Sequence, residues 1–187
     1  MSPRAMRTLY ENGMQATLMP KARTLGFALA ALIFLADQAS KYYILAVLRL
    51  DEAGLLTLSP FVDLVLVWNR GISYGLFQQH ADWGRYLLTF LAIGASVGFA
   101  VWLWRTTRIL PALAIGLVAG GALGNGVDRI FRGAVVDFVL LHWGEWRWYV
   151  FNLADVAIVA AVALLLYDSW LGKAQSVNTP TEKEPSR

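Results

Sequence analysis

Apolar residues along this chain gather into four long runs, Leu25 to Leu48, Tyr86 to Trp104, Ile109 to Val127 and Leu153 to Leu171, with polar stretches between them. Each run is close to or above the roughly 20 residues that an α-helix needs to cross a hydrocarbon core. The pattern predicts four transmembrane helices. The first run opens like a cleavable leader, "KARTLGFALAALIFLA", with a basic start and an apolar centre. Its apolar character resumes at Tyr42 and continues through Leu48, beyond any small-residue cleavage site, so a retained helix is expected.

Two connecting segments keep a different rhythm. In residues 49–85, Phe61, Asp63, Val65 and Val67 alternate with Leu64 and Leu66, which reads as short strands with a glycine turn at Asn69, Arg70 and Gly71. Residues 128–152 are rich in aromatic and β-branched side chains, and Trp143, Trp146, Trp148 and Tyr149 suit the interfacial belt where a chain re-enters lipid headgroups. The expected fold is an all-α membrane protein, a four-transmembrane-helix bundle carrying a small extracytoplasmic β-containing segment. Residues 1–187 form one membrane domain in this reading, with little room for a separate soluble one.

Composition agrees: 57% hydrophobic residues against 16% charged, with a mean hydropathy of +0.50, is too apolar for an ordinary soluble domain. The net charge of +3 matters through its placement. Arg4, Arg7, Lys21 and Arg23 precede the first run, Arg105 and Arg108 separate the second and third, and Lys173, Lys183 and Arg187 follow the fourth. By the positive-inside rule these regions face the cytoplasm, which leaves 49–85 and 128–152 on the periplasmic side of a bacterial inner membrane. Residues 1–24 form a cytoplasmic N-terminal segment in which Met14 or Met19 could replace Met1 as the start. The tail 172–187, "GKAQSVNTPTEKEPSR", is polar and proline-bearing and is expected to be disordered.

The same composition excludes several chemistries. There is no cysteine, hence no disulfide, thiolate metal site or cysteine nucleophile. With only His80 and His142 present, and "HWGE" lacking the His-Glu-x-x-His spacing, a histidine metal centre is not available. The basic clusters lack an interleaved aromatic stripe, so no nucleic-acid partner is expected.

Polar residues inside or beside the apolar runs are the candidates for function. Asp37 and Lys41 lie four apart on one helix face, either as an ion pair that brings a helix to the interface or as a polar patch beneath a site. Asn69 and Gly71 fit a structural turn, while Ser73 raises a serine–lysine nucleophile with Lys41. Gly120, Gly121 and Gly124 allow close helix approach, and Asn125, Asp128 and Arg129 follow at the outer end, where Asp128 beside Arg129 most simply makes a local ion pair. Asp155 is explained in part as the third residue of a helix capped by Asn152, where a carboxylate favours free N–H groups. Asp137, in the strand-like run Val135 to Val139, has no adjacent cation in sequence.

Asp137 and Asp155 lie 18 residues apart at one membrane level, with a hairpin-like excursion between them. Two carboxylates that meet cannot both ionise, so the pair holds one proton: one member remains an acid and the other a base near neutral pH. That suits peptide hydrolysis by activated water without a covalent intermediate. A proton-coupled transporter is the rival from another class, but it predicts carboxylates through the bilayer thickness. The stretches Ile109 to Val127 and Val156 to Tyr167 contain none. A non-enzymatic assembly factor predicts that replacing either aspartate by asparagine changes nothing.

The blocks "DQASK" (Asp37 to Lys41), "NRGISYG" (Asn69 to Gly75), "GNGVDR" (Gly124 to Arg129), "GAVVDF" (Gly133 to Phe138) and "FNLAD" (Phe151 to Asp155) resemble, in order, the motif set of bacterial lipoprotein signal peptidase, or signal peptidase II. The resemblance implies a four-helix inner-membrane aspartic protease, without cofactor or metal, that cuts prolipoproteins just before a diacylglyceryl-modified cysteine. It implies a catalytic dyad at Asp137 and Asp155. Asp37, Lys41, Asn69, Gly71, Asn125, Asp128, Arg129 and Asn152 would then line the site or hold its helices. Prolipoproteins and membrane lipids are the implied partners of a monomer, and globomycin-type peptides the implied inhibitors. The chain departs from the family's usual alanine and phenylalanine at Ser73 and Tyr74, which would place added hydroxyls at the pocket rim and leaves both aspartates intact.

Overall fold

The computed structural model describes residues 3–71 and 82–177; Ser73 and Tyr74 lie outside them. All four apolar runs are helices: α1 (Pro3–Tyr42), α3 (Asp82–Arg105), α4 (Ile109–Phe131) and α5 (Leu153–Val177), with a short α2 (Leu50–Ala53) after the first. Their membrane-spanning portions are Pro20–Val47, Tyr86–Arg105, Ile109–Phe131 and Leu153–Trp170. Four strands, β1 (Leu55–Ser59), β2 (Val62–Asn69), β3 (Val135–Trp143) and β4 (Trp146–Arg147), form one antiparallel sheet in chain order.

Several boundaries differ from those the hydropathy pattern suggests. The first helix begins at Pro3 and carries Pro20 inside it, where the Thr24 hydroxyl donates to the Pro20 carbonyl at 2.9 Å. It ends in a π-helical turn, Tyr43–Val47, after which Arg49 at φ +48° reverses the chain into α2. Helix α4 runs four residues past Val127, because no breaker intervenes before Gly133 at φ +77° turns the chain into β3. Asn125, Asp128 and Arg129 therefore stand on helix α4, with Asn125 and Asp128 buried. Residues 172–177, expected as the start of a disordered tail, continue α5; Lys173, Ala174 and Gln175 are good helix formers, and the first proline comes at Pro180. The hairpin turn lies at Pro60 and Phe61, between β1 and β2, while Asn69 ends β2.

Helix α4 is the centre of the bundle and packs on α1, α3 and α5. Of its most apolar stretch 67% is buried, against 17%, 11% and 17% for the other three spans. Those three turn large side chains such as Leu35, Phe90 and Leu166 outward, as helices facing lipid do. Glycine makes the central position possible: a Cβ on Gly120 would collide with the Ala30 carbonyl oxygen, and one on Gly116 with that of Gly26. Gly120→Ala should therefore force α1 from α4 and lower stability by about 2 kcal/mol. Gly94→Ala, with open space around its Cβ, should be neutral or slightly stabilising. Thermal unfolding of the two variants in detergent distinguishes these outcomes.

The sheet caps one end of the bundle. A small core of Ile44, Leu50, Leu64, Val136 and Phe138 joins the end of the first helix to β2 and β3. Reciprocal backbone bonds between Val139 and Phe151, 2.9 and 3.0 Å, tie β3 to the segment that enters α5. The strand bearing Asp137 and the helix bearing Asp155 are fixed to each other by this bridge.

Candidate active site

At the start of α5 the sequence Asn152-Leu-Ala-Asp155 forms a reciprocal cap. The Asp155 backbone N–H donates to Asn152 Oδ1 at 3.0 Å, and the Asn152 N–H donates to Asp155 Oδ2 at 3.2 Å. The side-chain amide of Asn152 remains free to reach beyond the helix. It donates to Asp137 Oδ1 at 2.6 Å and to Asn125 Oδ1 at 3.1 Å. Asn125, on α4, donates to Asp155 Oδ1 at 3.0 Å. Asn69, across the β2–β3 ladder, donates to Asp137 Oδ2 at 2.9 Å and is itself oriented by the Gly71 N–H on its Oδ1 at 3.0 Å.

Both carboxylates are thus held by neutral amides, and among the described residues neither forms an ion pair. An adjacent cation would fix both in the ionised form; amides orient the oxygens and leave the proton count open. Asp137 is buried, and that burial, reinforced by the Asp155 carboxylate, pushes its carboxyl up to about 7. Asp155 is half-buried and opens onto an apolar groove lined by Leu141, Trp148, Tyr149, Phe151, Val156 and Val159.

One layer behind the pair lies a buried ionic cluster. The Lys41 ammonium, with no exposure, is 2.8 Å from Asp37 Oδ2 and 2.7 Å from Asp128 Oδ2, both equally buried, and donates to Asn125 Oδ1 at 3.1 Å. Asp37 Oδ1 accepts the Ala154 N–H at 3.1 Å, and Asp128 Oδ2 accepts the Val136 N–H at 3.2 Å. Ala154 and Val136 immediately precede Asp155 and Asp137. Lys41 therefore links the two carboxylates that grip the backbone beside each member of the pair. Gly124 is required here, since a Cβ would lie 2.5 Å from Asp37 Oδ2.

The expected local ion pair between Asp128 and Arg129 does not form. Asp128 is taken by Lys41 and Arg132, while Arg129 donates to the Asn125 carbonyl at 3.2 Å and to the Gly71 carbonyl at 3.0 Å, tying α4 to the end of β2. The helix decides this: residues one apart diverge on its surface, whereas 128 and 132 share a face. Gln38 and Arg132 are participants that the sequence reading missed. Gln38 Nε2 reaches Asp37 Oδ2, Asp128 Oδ1 and the Gly124 carbonyl at 3.1–3.3 Å, and Arg132 donates to Gln38 Oε1 at 3.1 Å. The four-residue spacing from Asp128 to Arg132 was the available signal.

A family profile described as signal peptidase (SPase) II matches residues 29–171, which spans every residue of this site. The chain belongs to the signal peptidase II family. It is a multi-pass membrane hydrolase that removes signal peptides. The chain is 49% identical over 151 residues to the lipoprotein signal peptidase of Methylobacterium sp. (strain 4-46), covering 81% of this chain and 92% of the relative. It is 50% identical over 147 residues to that of Methylocella silvestris, covering 79% and 86%. A solved bacterial membrane enzyme superposes with a TM-score of 0.67 at 22% identity over 86% of this chain and 94% of its own, so the two share a fold.

Proposed function

We propose that this signal peptidase is an aspartic endopeptidase that cuts diacylglyceryl-modified prolipoproteins just before the lipidated cysteine, with Asp137 and Asp155 as its catalytic pair. The observation that carries the proposal is the setting of the pair: two carboxyls joined through Asn152, held only by amides, with Asp137 raised to about 7. Near neutral pH such a pair retains one proton. The ionised member takes a proton from water as its oxygen attacks the scissile carbonyl carbon, while the protonated member donates to the carbonyl oxygen. The tetrahedral intermediate then collapses: the C–N bond breaks, the proton gained from water passes to the leaving nitrogen, and the member that had donated recovers a proton from a hydroxyl of the intermediate, which restores the pair.

The remaining residues position this pair. Asn69, Asn125 and Asn152 orient the carboxyl oxygens; Asp37, Lys41 and Asp128 hold the backbone behind them; Arg129 and Gly71 fix the end of β2. The apolar groove beside Asp155 suits a lipid-modified substrate arriving from the bilayer. The basic residues Arg23, Arg105 and Arg108 support a bacterial inner-membrane location with both termini cytoplasmic and the sheet and site near the periplasmic face. The proposed partners are prolipoproteins and membrane lipids, the proposed state is a monomer, and no step calls for a metal, cofactor or nucleic acid.

The test compares one precursor in two forms, with and without the diacylglyceryl group on its cysteine, incubated with the purified protein and read by mass spectrometry. The expected product is a new N-terminus at the lipidated cysteine from the modified form alone. Equal cleavage of both forms, or a cut elsewhere, would overturn the substrate assignment.

A further inference from the structure

The buried Asp37–Lys41–Asp128 cluster carries two carboxylates against one ammonium and is fully buried, so it is one positive charge short. Arg132 supplies that charge. It follows Asp128 by one helical turn, forms an ion pair with Asp128 Oδ1, and donates to Gln38 Oε1 at 3.1 Å. Gln38 in turn donates to Asp37 Oδ2 at 3.1 Å, so the guanidinium reaches both acids, one directly and one through an amide. At 26% exposure, the Arg132 side chain is the point where this network meets the surface.

The charged groups packed together here, among the described residues, are Asp37 and Lys41 from α1, Asp128, Arg129 and Arg132 from α4, Asp137 from β3 and Asp155 from α5. With one proton on the Asp137–Asp155 pair, three negative charges face three positive ones. With Arg132 removed, neutrality would require a second proton. Asp37 and Asp128 keep Lys41 in contact, whereas Asp137 and Asp155 are held by amides alone, so the pair is where that proton is favoured.

We infer that Arg132, with Gln38 as its relay, is a positioning residue that sets the proton count of the Asp137–Asp155 pair by completing the charge balance of the buried cluster behind it. It does not touch the reacting atoms. It acts through Asp128, whose other oxygen holds the Val136 N–H beside Asp137. The inference rests on the proposed role of the pair.

The experiment measures kcat/KM against pH for cleavage of a diacylglyceryl-modified precursor by wild type, Arg132→Gln, Arg132→Lys and the double variant Asp128→Asn/Arg132→Gln. In Arg132→Gln an uncompensated negative charge makes both members of the pair hold protons more tightly, so both limbs of the profile move to higher pH by about half a unit or more. Arg132→Lys retains the charge and the wild-type profile. The double variant removes one charge of each sign, so its profile returns towards wild type even if the single variant folds poorly. Melting temperatures at pH 5.5 and pH 9 need no substrate: the gap between wild type and Arg132→Gln should widen at the higher pH. A profile for Arg132→Gln that superposes on wild type, a constant melting gap, or a double variant that stays as shifted as the single one would each overturn the inference. A wild type that cuts nothing would sink the catalytic reading instead, while the melting comparison still decides the charge balance.

Discussion

Asp137→Asn and Asp155→Asn should each lower cleavage of a lipidated precursor by roughly 10³-fold or more, because each removes a group that must exchange a proton with water or the scissile carbonyl. Their effects on stability should differ. Asp155 accepts two hydrogen bonds that order the start of α5, one from the Asn152 backbone and one from Asn125; asparagine keeps one acceptor and loses the other, at about 1 kcal/mol. Asp137→Asn loses one amide contact in the same way, but it also removes the cost of a buried ionised carboxylate. The folded-state value of about 7 lies above the ordinary 3.8, so the native protein binds this proton more tightly than the unfolded chain. Stability from this group is therefore full at low pH and is lost as pH rises from about 4 to about 7. At pH 8 Asp137→Asn should melt at or above the wild-type temperature, whereas at pH 5 it should melt slightly below. Cleavage by wild type should decline on the alkaline side as the shared proton is lost. If either single variant cuts at near the wild-type rate while remaining folded, that carboxylate is structural.

Lys41→Met should be the most destabilising substitution at the site. It leaves Asp37 and Asp128, neither exposed, facing each other without the ammonium that now lies 2.8 and 2.7 Å from them. Breaking a buried ion pair from one side costs about 3–5 kcal/mol, and here Asp37 is left buried without a counter-ion while Asp128 keeps Arg132. That is a large share of the stability of a small domain, so the variant should lose both melting temperature and cleavage. The mechanism predicts a rescue: Lys41→Met with Asp128→Asn removes one charge of each sign and should recover part of the lost stability. Thermal unfolding in detergent at pH 7 separates this from lost packing, because a purely steric role for the lysine stem would leave the double variant no better than the single.

Much of this architecture is legible in the order of residues because the bilayer imposes a coarse, local rule. Every spanning segment must be long, apolar and helical to satisfy its own backbone, so four such runs mean four helices wherever their neighbours lie. The cap at Asn152 and Asp155 is equally local: an N-cap amide and a third-residue carboxylate three positions apart. Asp137 also stands out without tertiary information, as a carboxylate in a β-branched run with no nearby cation.

What the sequence could not decide depends on which groups meet across the bundle. Adjacency suggested Asp128 with Arg129, yet the helical turn gives Asp128 to Arg132 and the fold gives it to Lys41, leaving Arg129 to bind backbone at Gly71. Gln38 looked like one more polar residue in a span until α4 brought Gly124, Asp128 and Arg132 against it. Hydropathy falls from Asn125 onward and suggests an earlier end for α4, whereas the helix runs to Phe131 and the chain turns only where Gly133 takes a positive φ. The residues themselves determine the four spans, the cap and the two aspartates, since each follows from local length, polarity and spacing. Only the tertiary structure determines that Asp137 and Asp155 share amides while the cations stay one layer behind, because that depends on contacts between segments far apart in the chain.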